Sequence, residues 1–238
     1  MDKETIKNYF LDILFPRFCL GCGIEGVYLC EDCKATLEVL EYRYCLCDEN
    51  NLRISGQSNK GKCRNCNSKK LSGLYSSLSY KEKPLTKKLI HFFKYPPYYL
   101  KDLAKPLASL VIDHILLLGE NPFKNSVLIP IPLDKKKLKQ RGYNQSEELA
   151  KEISKATGVP FLTDVLIKIK STSPQMELPE EKRRENLKDA FACRKTIRDK
   201  KVFLVDDVYT TGSTMEECAA KLLESGTKEV WGIVIARD

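Results

Sequence analysis

Residues 202–205 (VFLV) and 127–131 (VLIPI) are apolar at consecutive positions, which predicts strands buried on both faces, as in a parallel sheet. Leu74, Ser76, Leu78 and Tyr80 instead alternate with Tyr75, Ser77 and Ser79, predicting a strand over 71–80 that leaves the head of the chain. Helical spacing takes over at Pro84. Leu85, Leu89, Phe92 and Phe93 fall on one side and Lys87, Lys88 and Lys94 on the other, until Pro96 and Pro97 end the run. A second helix is expected from about 99 to 118, closed by Gly119. Beyond it the pattern predicts a helix over 147–157 stopped by Gly158 and Pro160, a strand over 161–167 and a short strand over 191–193. A helix from about 215 to 225 and a strand over 230–235 follow. Strand and helix thus alternate along the second half, which predicts an α/β fold, a parallel sheet with helices on its faces. Near the N-terminus, Ile6, Phe10, Ile13 and Leu14 sit at helical spacing and predict a short amphipathic helix packed on the protein.

The first seventy residues offer little further apolar pattern, but they hold eight of the ten cysteines. This divides the chain into a Cys-rich head over 1–70, a connecting strand and helices over 71–120, and a core over 121–238. Cys19, Cys22, Cys30 and Cys33 form C-x2-C-x7-C-x2-C. Each C-x2-C pair turns two sulfurs toward one point, Gly21 and Gly23 permit the tight backbone, and two such knuckles make a closed tetrahedron suited to structural Zn²⁺. An iron–sulfur cluster or free thiols would use the same residues. Cys45, Cys47, Cys63 and Cys66 form a second, less regular set, because only Leu46 separates the first two. One or two zinc ions are therefore expected, with ligand pairing in the second set left open. His91 and His114, the two histidines, lie in helical apolar surroundings and are expected to be packed or surface residues.

The net charge of +8 belongs almost entirely to the part of the chain after residue 70. Such a field favours polyphosphate or nucleic acid, although a Lys-rich solvated surface accounts for it as well. The acids among the first residues and the lack of a cleavage-like segment predict no secretory leader, and the longest other apolar stretch, over 111–118, is broken by Asp113 and His114. A cytoplasmic protein without membrane insertion is expected, and in a reducing compartment metal ligation outranks disulfides.

Directly after 202–205 come Asp206 and Asp207, then Thr210, Thr211, Gly212, Ser213 and Thr214 ahead of the helix. Ligands of open α/β sheets bind beyond the carboxyl ends of the strands, and a helix N-terminus favours phosphate through its unpaired N–H groups and dipole. Amides and hydroxyls for a phosphate, and carboxylates for sugar hydroxyls or a nearby Mg²⁺, make this a sugar-phosphate site. It is not a Walker loop, for no G-x4-G-K-[ST] is present. Strand and helix capping alone would leave two adjacent carboxylates repelling each other.

The segment VFLVDDVYTTGST closely resembles the phosphoribosyl-diphosphate (PRPP) signature of type I phosphoribosyltransferases. With the Cys head, IPIPL, RGYNQS and the polar interval before DAF, the chain from about 14 to 237 resembles the ComF family, the competence protein F type associated with DNA uptake in natural transformation. The resemblance implies a parallel-sheet type I phosphoribosyltransferase-like core with a small N-terminal zinc-ribbon-like domain. It further implies that Asp206 and Asp207 contact the ribose hydroxyls and that residues 210–214 cradle the 5′-phosphate. The turn holding Pro132 matches the pyrophosphate loop, with Arg141 a candidate to reach the diphosphate. Residues 171–186 match the loop that closes over the leaving group, with Lys182, Arg183 and Arg184 as candidate charges. Related enzymes that salvage 6-oxopurines carry an acid where this chain has Thr210, which argues against hypoxanthine or guanine as acceptor.

Two readings follow. One is a Mg²⁺-dependent phosphoribosyltransferase with an unnamed acceptor. The other is a non-catalytic adapter that holds PRPP or single-stranded DNA among DNA-uptake proteins. The regular aromatic interleaving of a stacking platform is not evident, Tyr95, Tyr98 and Tyr99 near Lys94 and Lys101 being the nearest approach.

Overall fold

The computed structural model describes residues 15–46, 53–54, 66, 69–81, 83–119, 121–170, 187–198 and 200–238. The amphipathic helix expected around Ile6 to Leu14 lies outside them, as do Cys47, Cys63, Lys182, Arg183 and Arg184.

The head contributes a short helix α1 (Glu31–Ala35) and a two-residue antiparallel ribbon of β1 (Arg43–Tyr44) and β2 (Arg53–Ile54). Then come β3 (Gly73–Ser79), α2 (Pro84–Lys94), a 3-10 turn (Lys101–Leu103) and α3 (Ala104–Leu117). The remainder runs β4 (Ser126–Pro130), α4 (Lys135–Arg141), α5 (Gln145–Thr157), β5 (Leu166–Lys168), β6 (Phe191–Cys193), β7 (Lys201–Tyr209), α6 (Ser213–Glu224) and β8 (Glu229–Arg237).

Four strands form one parallel sheet in the order β3-β8-β7-β4. Its middle strands are apolar on both faces because each face has its own core. From β7, Phe203 and Val205 join one cluster while Val202 and Leu204 join the other; from β8, Trp231 and Ile233 point one way and Val230 and Val234 the other. The first cluster is closed by Leu107, Leu110 and Val111 of α3, Leu149 and Ile153 of α5, and Leu89 and Phe93 of α2. The second is closed by Met215, Cys218 and Leu222 of α6 together with Leu166 and Phe191 of the β5–β6 ribbon.

The strand expected over 71–80 is present as β3, an edge strand of the main sheet, paired with β8 from Gly73↔Trp231 to Ser79↔Arg237. The chain departs from its pattern in three places. The strand expected over 161–167 shrinks to a parallel bridge between Leu128 and Phe161 and the three residues of β5, which turns to pair antiparallel with β6; an ion pair between Asp164 and Lys195 ties the bend between them. The helix expected from about 99 begins at Ala104, after the 3-10 turn. Residues 135–141 form a helix that their unpatterned KKKLKQR sequence does not announce: Asp134 accepts from the Lys136 and Lys137 amides at its start, and Gly142 at φ 79° ends it.

The head rests on α2. Leu20, Leu29 and Leu37 enter the first cluster, and Lys88 Nζ donates to the Leu20 carbonyl at 2.7 Å. His114 is buried with Nδ1 2.5 Å from the Leu40 carbonyl, whereas His91 is exposed beside Tyr95. Among the described residues, no helix is long and apolar enough to cross a membrane.

Candidate functional site

Two centres carry chemistry. In the head, the Sγ atoms of Cys19, Cys22, Cys30 and Cys33 all lie within 4.8 Å of one another, with Cys19 to Cys30 at 3.6 Å and Cys22 to Cys30 at 3.7 Å. A tetrahedron with Zn–S arms of about 2.3 Å has edges of about 3.8 Å, so the sulfurs fit a zinc ion. The knuckle is built as its glycines require: a Cβ on Gly21 would meet Cys33 Sγ at 2.5 Å, and the Gly23 amide donates back to the Cys19 carbonyl at 2.8 Å. Four thiols cannot all ionise side by side without a cation. Cys33 is pushed up to about 12, first by the Cys30 sulfur and then by burial. Cys19 is held at about 6; burial, the largest influence, opposes this, but the amides of Cys22, Cys30 and Gly21 outweigh it. From the second set, Cys45 and Cys66 are buried with their sulfurs 3.5 Å apart, while Cys47 and Cys63 lie outside the described residues.

The second centre is a cavity of about 880 Å³ beyond the carboxyl ends of β4 and β7. Asp206 and Asp207 stand within β7, which runs on to Tyr209. Asp206 Oδ1 accepts from Ser146 Oγ and from the Asp207 amide, both at 2.9 Å. Burial first, and then the Asp207 charge, push its carboxyl from the usual 3.8 up to about 6. Asp207 is nearly buried, at 4% exposure, and Lys94 Nζ reaches its two oxygens at 2.9 and 2.8 Å.

The loop of Thr210, Thr211, Gly212, Ser213 and Thr214 lines the same cavity and leads into α6, whose N-cap is Gly212 at φ 73°. A Cβ there would lie 2.3 Å from the Tyr209 ring carbon Cζ and hydroxyl, so the loop is pressed onto the strand that carries the acids. Thr211 Oγ1 and Ser213 Oγ are 2.9 Å apart, which holds the hydroxyls beside the first amides of the helix.

Facing the loop, Pro132 follows β4 and lines the cavity with Lys137, Arg141 and Lys168. Arg141 Nη1 donates to Gln145 Oε1 at 2.9 Å, and its guanidinium lies 5.9 Å from the Tyr95 ring centroid. Lys137 is held below its usual value, by burial first and then by Arg141 and Lys94; Lys168 is lowered by burial and then by Lys137. Cations that disfavour one another's charge around a cavity gain from an anion placed among them.

The structure therefore brings Pro132, Arg141, Asp206, Asp207 and residues 210–214 to one cavity. Sequence reasoning missed Ser146 and set Lys94 on a polar helix face; Lys137 and Lys168 were not singled out. Ser146 sat inside RGYNQS, whose Asn144 caps α5 through the Ser146 amide and whose Nδ2 donates to the Ile131 carbonyl at 3.0 Å, so that signal was present. The stretch of tyrosines is a packed corner in part: the Tyr98 ring stacks on Phe92 with centroids 3.7 Å apart.

The phosphoribosyl transferase domain family matches residues 139–238. The chain is 36% identical over 159 residues to competence protein F of Haemophilus influenzae, which covers 62% of this chain and 67% of that protein. It is 30% identical over 148 residues to DNA utilization protein YhgH of Salmonella typhi, covering 60% and 64%, and 33% identical over 113 residues to competence protein ComFC of Bacillus subtilis, covering 44% and 41%. Among solved structures, glutamine PRPP amidotransferase of B. subtilis matches with TM-score 0.38 and 19% identity over 61% of this chain and 30% of that one. Purine phosphoribosyltransferase of Pyrococcus horikoshii matches with TM-score 0.33 and 18% identity over 60% and 85%. Those scores add nothing to the fold, which rests on the parallel sheet and the domain match.

Proposed function

This chain belongs to the competence protein F family and carries a phosphoribosyl transferase domain, and on that footing we propose that it binds PRPP with Mg²⁺ in the 880 Å³ cavity and transfers the phosphoribosyl group to an acceptor. The observation that carries the reading is the meeting, around one cavity, of an adjacent acid pair, a hydroxyl-rich loop at a helix N-terminus and a wall of cations. Each suits a different part of one ligand. The amides and hydroxyls of residues 211–214 suit the 5′-phosphate, the acid pair suits the ribose hydroxyls, and Arg141, Lys137 and Lys168 beside the Pro132 turn suit the diphosphate. Arg183 and Arg184 are proposed to close over that group. Mg²⁺ would neutralise charge on the diphosphate.

No protein nucleophile is needed. The bond from the sugar carbon to the diphosphate breaks with its electron pair on the diphosphate, and the acceptor's lone pair forms the new bond. Catalysis then consists of stabilising the leaving charge and positioning the acceptor, and one donor aimed at developing charge is worth about 3 kcal/mol. Thr210 cannot exchange a proton with an oxopurine near neutral pH, which argues against hypoxanthine or guanine as the acceptor. The names of the relatives support a role in DNA uptake, and the four-Cys cluster is proposed to hold one structural zinc, with Cys45, Cys47, Cys63 and Cys66 holding a second.

Calorimetric titration of the full chain with PRPP and Mg²⁺ tests this, comparing the parent with Asp206→Asn/Asp207→Asn. Saturable binding by the parent that the double variant loses is expected. No binding by the parent overturns the reading, and binding without turnover across bases, amines and nucleic acids replaces the transferase with a PRPP-holding adapter.

A further inference from the structure

The two carboxylates are adjacent in sequence but unequal in surroundings. Asp206 accepts from a hydroxyl and an amide, both neutral, and lines the cavity. Asp207 has both oxygens on the Lys94 ammonium, Oδ1 also accepts from the Val208 amide at 2.8 Å, and only 6% of its side chain stays exposed. Little of that carboxylate is left for another ligand.

Lys94 is no loose surface lysine. It closes α2, outside the residues that match the phosphoribosyl transferase domain. The turn that carries it is tied to α5 and the residues before it: Tyr143 Oη donates to the Phe93 carbonyl, Gln145 Nε2 reaches the same oxygen at 3.5 Å, and the Phe93 and Tyr143 rings pack with centroids 5.9 Å apart. On the other flank the Tyr95 ring lies 5.9 Å from Arg141 and 5.9 Å from the Lys94 ammonium. Burial works against the charge on Lys94, and the Asp207 carboxylate more than restores it.

We infer that Lys94 is the built-in counter-cation of the acid pair, occupying at Asp207 the place a free divalent ion or a ribose hydroxyl would take, and leaving Asp206 as the carboxylate that meets the sugar. The inference rests on the sugar-phosphate reading of the cavity. With Asp207 neutralised the pair carries one net negative charge, and a second cation beside the ammonium is repelled. The site thus selects a vicinal diol that donates to Asp206 and accepts from the third N–H of Lys94. Any divalent ion enters on the diphosphate of the ligand and not ahead of it. Lys94 is a positioning residue of the pair, supplied by a segment that precedes the domain.

The test is Mn²⁺ binding to the full chain, followed by electron paramagnetic resonance at pH 8 without PRPP, with folding checked by Trp231 fluorescence. The parent should bind weakly at this site. Lys94→Met should bind at least about tenfold more tightly, Lys94→Arg should match the parent, and Lys94→Met/Asp207→Asn should lose the gain. Equal Mn²⁺ affinity in the parent and a folded Lys94→Met overturns the inference. So does micromolar Mn²⁺ binding by the parent that Asp207→Asn abolishes, a result that needs no variant of Lys94. A parent that fails to bind PRPP removes the sugar-phosphate reading, whereas the Mn²⁺ comparison reads the acid pair alone, so the two failures are told apart.

Discussion

Gly212→Ala puts the packing of the phosphate-sized loop to a quantitative test. Two costs add. Gly212 sits at φ 73°, where an L side chain costs about 1–2 kcal/mol. The new Cβ would also lie 2.3 Å from Cζ and the hydroxyl of Tyr209, a side chain in β7 with 2% exposure that has little room to retreat, and overpacking of this kind costs about 1–3 kcal/mol. The sum is about 2–5 kcal/mol. Gly158→Ala is the matched control, for Gly158 has nearly the same backbone, φ 72°, and nothing within 4 Å of its Cβ position, so only the first cost applies. Urea unfolding followed by fluorescence of Trp231, the single tryptophan and 2% exposed in the core, measures both variants against the parent. The Gly212 variant should lose clearly more stability than the Gly158 variant, and it alone should weaken binding of inorganic phosphate, because its clash displaces the amides of Ser213 and Thr214. Equal losses in the two variants would refute the argument that Tyr209 supports the loop.

Further outcomes follow from the same geometry. Because the Asp206 carboxyl is raised from 3.8 to about 6, its contribution to stability is present below about pH 4 and lost as pH rises through about 6; the parent should therefore lose ground to Asp206→Asn over that window in unfolding experiments, and a flat difference would count against the burial of Asp206. Cys30→Ser removes the sulfur that lies 3.6 Å from Cys19 and 3.7 Å from Cys22, so zinc analysis should find one equivalent fewer than in the parent, with a lower melting temperature because Leu20, Leu29 and Leu37 lose their support; an unchanged metal content would contradict the assignment. Tyr143→Phe deletes the hydroxyl that holds the end of α2 and should cost about 1 kcal/mol, with PRPP affinity falling through Lys94; a fully neutral variant would show that α2 is placed by its apolar contacts alone.

The doubly apolar runs at 127–131 and 202–205 made the middle of the sheet readable, because only a strand covered on both faces tolerates such a sequence. The acid pair and its loop were readable for a related reason: two adjacent carboxylates followed by small hydroxyl residues and a glycine break the apolar run at the end of such a strand. Lys94 was not readable. Its place on α2 follows the helical period, and the carboxylate that draws it inward lies far along the chain, so no local pattern records the pairing. The helix over 135–141 was hidden by composition, as it buries no residue and depends on Asp134 and Gly142 at its ends. Arg141 was found through RGYNQS, but its hold on Gln145 and its place over Tyr95 depend on the meeting of α2 and α5, which periodicity does not encode.

The edge strand β3 is made early and hydrogen-bonds along β8, which is made more than a hundred residues later: Gly73 faces Trp231 and Ser79 faces Arg237. On the ribosome, then, the head, β3 and α2 all emerge before the neighbour that completes the sheet, and Lys94 is synthesised long before its carboxylate. Contacts this distant in sequence make folding slow, and they tie the assembly of the cavity to the last strand. A nascent chain stalled before residue 229 would have its four-Cys cluster but no finished cavity, so the timing of synthesis itself separates the Cys-rich head from the cavity.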